Sequence, residues 1–406
     1  MWHDTRRSPT GGEQRHASDA SERLRMLRAL PAEDTPLSEL VAATGDISLT
    51  VAREALQRLA RVGGRGEAEV LRWRIWRADP SLLGEFASCI AALGDRRAID
   101  EALAVLRCED RGDRVYWDRV TAVALLGAFA DPATGAAIRA ALVDPIGAVR
   151  QAAVKALGRL PAQRENQLAV AACLSDSDPQ VRAAAIGSVA ARDPNPGLRL
   201  ADLAADQSTV VRSVLARSTM LLGEQPAARL LEDTEIRVRE LAAQHAGTDA
   251  AGPLAKALRG DSSRVVRMVA ARRLGELGAT GASGSLIDSL CDPDSLVRVI
   301  ALRSLSRLYD QGNLLCMLVG AIGEKTGEDR AALLYAVKRL DGARECLGKL
   351  SALVDDPHPA VRVALGELAR DVPESELLAR RGSAREGTVE QSPHRAKELE
   401  QKEVTR

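Results

Sequence analysis

Residues 144–160 read Asp-Pro-Ile-Gly-Ala-Val-Arg-Gln-Ala-Ala-Val-Lys-Ala-Leu-Gly-Arg-Leu, and the spacing inside this stretch decides the fold. Val149, Ala153, Ala156 and Leu157 fall on one stripe at helical spacing. An Asp-Pro pair precedes them and suits a helix start, because Asp accepts hydrogen bonds from free N–H groups and Pro is tolerated in the first turn. The frame is an Asp, four variable residues, a Val, an Arg, and a small or apolar residue four places after the Val. It returns at Asp176/Val181/Arg182, Asp206/Val211/Arg212, Asp233/Val238/Arg239, Asp261/Val266/Arg267, Asp292/Val297/Arg298 and Asp356/Val361/Arg362. Consecutive Val positions lie 27 to 32 residues apart through Val297, and the step of 64 to Val361 is two periods. A degenerate unit fills that step, with Glu324 and Arg330 in the Asp and Arg places.

Each period splits into two helical stretches, as in Ala136 to Leu142 followed by Gly147 to Leu160. Asp131-Pro132, Asp144-Pro145, Asp178-Pro179 and Asp292-Pro293 each restart a helix. A single hairpin cannot bury its stripe alone, so neighbouring hairpins must stack. Upstream the frame continues more weakly, with Asp113 before Asp118-Arg119, with Leu93-Gly94-Asp95 opening a helix through Ile99, Leu103 and Leu106, and with Glu67 to Ala78 before Asp79-Pro80. The expected fold is all-α, a right-handed α-solenoid of stacked antiparallel helix pairs. Apolar content of 46% with only 2% aromatics agrees, since Ala, Leu and Val cores suit closely packed helices.

The frame resembles the HEAT repeat family, especially the short HEAT-like repeats also found in phycobilin lyase subunits. The resemblance covers roughly residues 66–370. It implies a stacked helical array, and since such arrays serve many roles it says little about function. In this family the recurring Asp and Arg look like a structural ladder tying turn to helix, not a charged site. The expected organisation is a tail over 1–20, an N-terminal helical cap over 21–65, a solenoid over 66–372, and a charged tail over 373–406, with Pro373 stopping the last helix. Both tails lack apolar periodicity and are expected to be disordered.

The segment 36–62 supports two readings. A short helix, the Thr44-Gly45 turn and a longer helix before Gly63-Gly64 are similar to the helix-turn-helix of winged-helix repressors, with Ser48, Thr50 and Arg53 facing a major groove. Arg72 and Arg74, alternating with Leu71, Trp73 and Ile75, would then form a wing strand. The same residues fit a capping repeat, with Asp46 five places before Val51, Ala55 four after it and Leu59 eight after it.

Lys plus Arg equals Asp plus Glu at 56 each, so no global charge points to nucleic acid, membrane or an acidic partner. The six cysteines show no C-x-x-C pairing and read as small core residues in a reducing compartment. The first 20 residues lack the apolar core of a signal peptide, and no run of roughly 18 apolar residues offers a membrane span. A cytoplasmic protein is expected.

Signatures of catalysis are missing. Deoxyhypusine hydroxylases share the repeat and carry His-Glu pairs that bind a di-iron centre, whereas the histidines here (His3, His16, His245, His358, His394) form no such pair. No phosphate-binding loop, nucleophile elbow or spaced metal cluster appears, so neither cofactor nor enzymatic activity is expected. HEAT-like DNA glycosylases use aromatic and acidic residues in a cleft. Trp73, Trp76, Tyr116 and Trp117 are the aromatics to inspect, with core or capping roles expected.

One charge pattern recurs at fixed phase. At about 100° per residue, the sixth and tenth positions after each Val fall opposite the apolar stripe. Lys155, Arg217, Arg272 and Arg303 occupy the sixth, and Arg159, Arg307 and Arg339 the tenth; Glu276 and Glu367 interrupt the series. The family resemblance puts second helices on the inner, concave wall, so these side chains would line one basic strip. Such a strip fits an acidic peptide, an acidic protein face or a nucleic-acid backbone, and a merely solvated face is the other reading. The expected function is a non-enzymatic scaffold holding a protein partner. A DNA-associated regulator reading through 36–62 is the alternative, and a lyase- or glycosylase-like subunit the weakest.

Overall fold

The computed structural model of the chain describes residues 19–29, 31–108, 116–192 and 196–370. Asp113, the histidines at 3, 16 and 394, the stop at Pro373 and the tail 373–406 lie outside them, as does nearly all of the tail 1–20. The described residues are all helix and turn, with no strand among them. The chain divides into two compact units, one ending at Pro196 and one beginning at Gly197.

In the first unit, α1 (Ala20–Ala29), α2 (Leu37–Ala43), α3 (Leu49–Val62), α4 (Arg65–Arg74), α5 (Leu83–Ala92), α6 (Arg97–Arg107), α7 (Tyr116–Phe129), α8 (Gly135–Ala140), α9 (Gly147–Leu157), α10 (Arg164–Ala172) and α11 (Pro179–Arg192) follow in order. The second helices α3, α5, α7, α9 and α11 pack in sequence on one another. Val149, Ala153, Ala156 and Leu157 are buried as their spacing predicts, each large aliphatic one stabilising the stack by about 1.5–3 kcal/mol. Small residues let the helices approach closely. A Cβ on Gly127 of α7 would fall 2.6 Å from the Cβ of Ala156 on α9.

The second unit opens with α12 (Pro196–Leu200), which begins at the division. It continues through α13 (Thr209–Ala216), α14 (Glu224–Leu231), α15 (Ile236–Gln244), α16 (Ala251–Gly260), α17 (Arg264–Glu276), α18 (Ser283–Asp288), α19 (Ser295–Leu308), α20 (Gln311–Glu324), α21 (Gly327–Lys338), α22 (Leu347–Leu350) and α23 (Pro359–Leu368). Here α13, α15, α17 and α19 stack, and α21 stacks on α23.

Several expectations are corrected. Residues 71–75 form no wing strand: α4 runs to Arg74 and a 3₁₀ turn follows, because Glu67 returns its carboxylate to the Gly64 N–H and nucleates a helix. Asp144 and Asp292 do not cap the helices they precede. Each accepts the N–H two residues on, from Ile146 and Asp294, and α19 is capped instead by Asp294, which accepts from Leu296 and Val297. Glu324 does not take the Asp place of a unit, since it is the exposed last residue of a continuous helix.

Candidate functional site

The frame residues make a ladder that runs between repeats. Arg150 donates through Nη1 to the Asp144 carbonyl of its own turn at 2.9 Å, and through Nε and Nη2 to both carboxylate oxygens of Asp176 in the next repeat, at 2.9 and 2.8 Å. The second unit repeats this fork at Arg212–Asp233, Arg239–Asp261 and Arg267–Asp292, with distances of 2.6 to 3.1 Å. Arg119–Asp144 is the buried version. The ladder ties turn to helix through its carbonyl half, and its carboxylate half reaches forward by 21 to 26 residues. Arg330 takes the Arg place of the degenerate unit and holds Asp356.

The ladder extends to the N-terminal segment. Arg23 on α1 forks onto Asp46 with two bonds of 2.9 Å, and Asp46 accepts the Ser48 N–H. Asp46 thereby occupies the rung position of a repeat. Arg53, the residue offered for groove reading, donates to Glu85 of α5 at 2.6 Å. Ser48 is half-buried, Thr50 is exposed, and their hydroxyls are bonded to each other.

All seven basic residues of the proposed strip are exposed, as their helical phase requires: Lys155, Arg159, Arg217, Arg272, Arg303, Arg307 and Arg339. They fall in two groups, Lys155 and Arg159 in the first unit and the other five in the second. Arg272 lies 3.8 Å from Glu276, and the other six have no ion pair among the described residues. Partial loss of solvent, and then the neighbouring Arg159, hold the Lys155 ammonium below its usual range. Of the interrupting acids, Glu276 also meets Arg273 at 3.2 Å and Glu367 meets Lys338 at 2.7 Å.

The aromatics depart from expectation. Trp73 is 66% exposed, with the Arg72 guanidinium 5.4 Å from its ring centroid, and Trp117 is 42% exposed with its ring 4.8 Å from that of Tyr116. Neither fills a core; α4 turns the Trp73 face outward and places Leu71 inside. His245 follows α15, half-buried, and burial with Arg217 and Arg273 nearby holds its pKa down. Among the described residues no cluster of three His, Cys, Asp or Glu could hold a metal, and no helix is long and apolar enough to cross a membrane.

No curated protein sequence matches the chain. Among solved structures, Escherichia coli YibA is 18% identical over 66% of this chain and 96% of its own, with a TM-score of 0.39. A chain of the full-length AP-3 complex, itself a homology model in an intermediate open conformation, is 14% identical over 93% and 74%, at 0.44. Human deoxyhypusine hydroxylase in complex with glycerol is 20% identical over 71% and 98%, at 0.28. Two segments, residues 111–190 and 251–338, match the family model for HEAT repeats, in keeping with the stacked helix pairs of each unit.

Proposed function

We propose that the chain is a non-enzymatic scaffold that holds an acidic protein partner on the exposed basic face of its second helices. The observation that carries this reading is the phase of the seven basic residues. They recur at two positions of the repeat, all reach solvent, and six have no ion pair among the described residues. Within each unit, like charges at the same helical phase raise the local potential and favour a ligand of opposite sign. The ladder arginines differ, since their charge is spent inside the fold.

The test is affinity purification with mass spectrometry from the native host, with and without nuclease, comparing the natural chain with Arg272→Glu, Arg303→Glu and Arg307→Glu combined. Partners that persist after nuclease and vanish with the substitutions support the reading. Unchanged capture sinks it, and capture that disappears with nuclease reassigns the face to nucleic acid.

A further inference from the structure

Arg298 keeps half of a ladder rung and lacks the other half. Its Nη1 donates to the carbonyls of Asp292 and Pro293 at 2.7 and 3.0 Å, as Arg150, Arg212, Arg239 and Arg267 bond their own turns. Those bonds fix the guanidinium in the same pose. The Nε and Nη2 edge, which in the sister arginines grips the next Asp, has no carboxylate partner among the described residues.

The gap has a structural cause. In the regular repeats the chain leaves the first helix at an Asp with φ between −57° and −66° and ψ between 135° and 146°, whether a 3₁₀ segment precedes it, as at Asp144, Asp176 and Asp292, or α-helix runs up to it, as at Asp261. After α20 the chain leaves instead at Lys325, which carries no carboxylate, with φ −91° and ψ 165°. No rung residue is delivered.

A cleft of about 720 Å³ lies there, between α19 and α21, with Arg298, Tyr335 and Arg339 on its walls. Asp292, also on the wall, is already held by Arg267. Asp329 and Glu328 line the cleft too and oppose a second anion, whereas Arg339 has no ion pair among the described residues. The sister rungs identify the ligand chemistry, because the forks of Arg150, Arg212, Arg239 and Arg267 each hold a carboxylate, while Arg362, in the last described helix, likewise bonds only the carbonyls of its own turn.

We propose that Arg298 is an open rung: it binds a carboxylate from an acidic turn of a partner protein, gripped in the two-bond geometry the other rungs use internally. Arg298 is not one of the strip residues, although Arg339 of the strip lines the same cleft, and the fork holds its carboxylate even if the rest of the strip is idle.

The probe is a fluorescein-labelled peptide copying the chain's own rung, Leu-Ser-Asp-Ser-Asp-Pro-Gln from residues 174–180, titrated with the full-length chain at low salt and read by fluorescence polarisation. The expected result is binding that weakens at least tenfold when the peptide carries Asp176→Asn and when the chain carries Arg298→Gln. Arg298→Lys, which keeps the charge without the fork, also weakens it. Absence of peptide binding, equal binding of the two peptides, or natural affinity in Arg298→Gln overturns the proposal. The peptide substitution leaves the protein untouched, so it reads the site even if a chain variant folds poorly. The Arg272, Arg303 and Arg307 substitutions leave this binding in place, which separates it from the strip.

Discussion

Arg119 donates through Nε and Nη2 to both carboxylate oxygens of Asp144, at 2.8 and 3.1 Å, with side chains 2% and 0% exposed. The Arg267–Asp292 rung has the same geometry at 13% and 8% exposure. Removing one partner of a buried pair leaves an uncompensated charge and costs about 3–5 kcal/mol. Arg119→Met should therefore lower stability by about that much, and Arg267→Met by clearly less because water reaches the orphaned Asp292. Replacing both Arg119 and Asp144 by Met and Leu should recover most of the loss. Urea unfolding checks the order, and equal losses in the two single variants would contradict it.

The rungs also set the acid response. The Arg150 hydrogen bond holds the Asp176 carboxyl below its ordinary range, against an opposing push from burial, and Arg97 and Arg72 do the same for Asp95. A depressed folded pKa contributes stability that is fully present above the unfolded value, about 3.9, and is lost as pH falls through the folded value. Stability from these groups should be flat from pH 7 to 5 and decline below about pH 4. Asp176→Asn should flatten that decline in a circular-dichroism acid titration; an unchanged acid transition would remove Asp176 from the account.

How much of this was legible in the sequence follows from which distances a single repeat spans. Val149 and its stripe, and the exposed phase of Arg303 and Arg307, lie within one helix, so about 100° per residue sufficed to place them. The forward grip of Arg150 on Asp176 crosses 26 residues and exists only once the hairpins stack. Glu324 stands six residues before Arg330, as Asp144 stands before Arg150, yet the turn that delivers a rung depends on how the preceding helix ends. The chain leaves the first helix at Asp144 with φ −61° and ψ 141°, and leaves α20 at Lys325 with φ −91° and ψ 165°. Trp73 was misplaced for a related reason: its helix buries Leu71, and residue type alone did not show which face would turn inward.

Gly275 on α17 faces Ser304 on α19, and a Cβ there would lie 2.7 Å from the Ser304 Cβ and 2.9 Å from its Cα. Both atoms are anchored to backbone, so the two helices would have to separate. Gly275→Ala gains about 1 kcal/mol of helix propensity and incurs overpacking of about 1–3 kcal/mol. Net destabilisation is expected, relieved when Ser304→Gly is added. A stabilised single variant would show that the stack yields more readily than this.

Thiol chemistry gives a cheap check of the core. Burial pushes the Cys89 thiol up to about 12, and burial with Asp176 nearby pushes Cys173 up to about 11, whereas Cys108 and Cys316 are exposed. Thiolate, not thiol, is the reactive form. Timed iodoacetamide labelling with peptide mapping should modify Cys108 and Cys316 first and reach Cys89 and Cys173 only on unfolding. Early labelling of Cys89 would mean that α5 is not packed as described.

Ala130 closes α7 at φ 50°, the left-handed region, where Gly94 (φ 76°) follows α5 and Gly278 (φ 68°) follows α17. Two sister repeats thus use glycine where this one uses a residue with a Cβ. An L side chain in that conformation costs about 1–2 kcal/mol, and glycine's greater freedom in the unfolded chain offsets about 0.5–1 kcal/mol of the gain from removing it. Ala130→Gly should therefore raise the urea midpoint by a small net amount, about 0.5–1 kcal/mol in stability. Gly278→Ala should lower it, because the same strain is then introduced into a helix end that lacks it. If both substitutions moved the midpoint in the same direction, backbone conformation would not be what distinguishes the two positions.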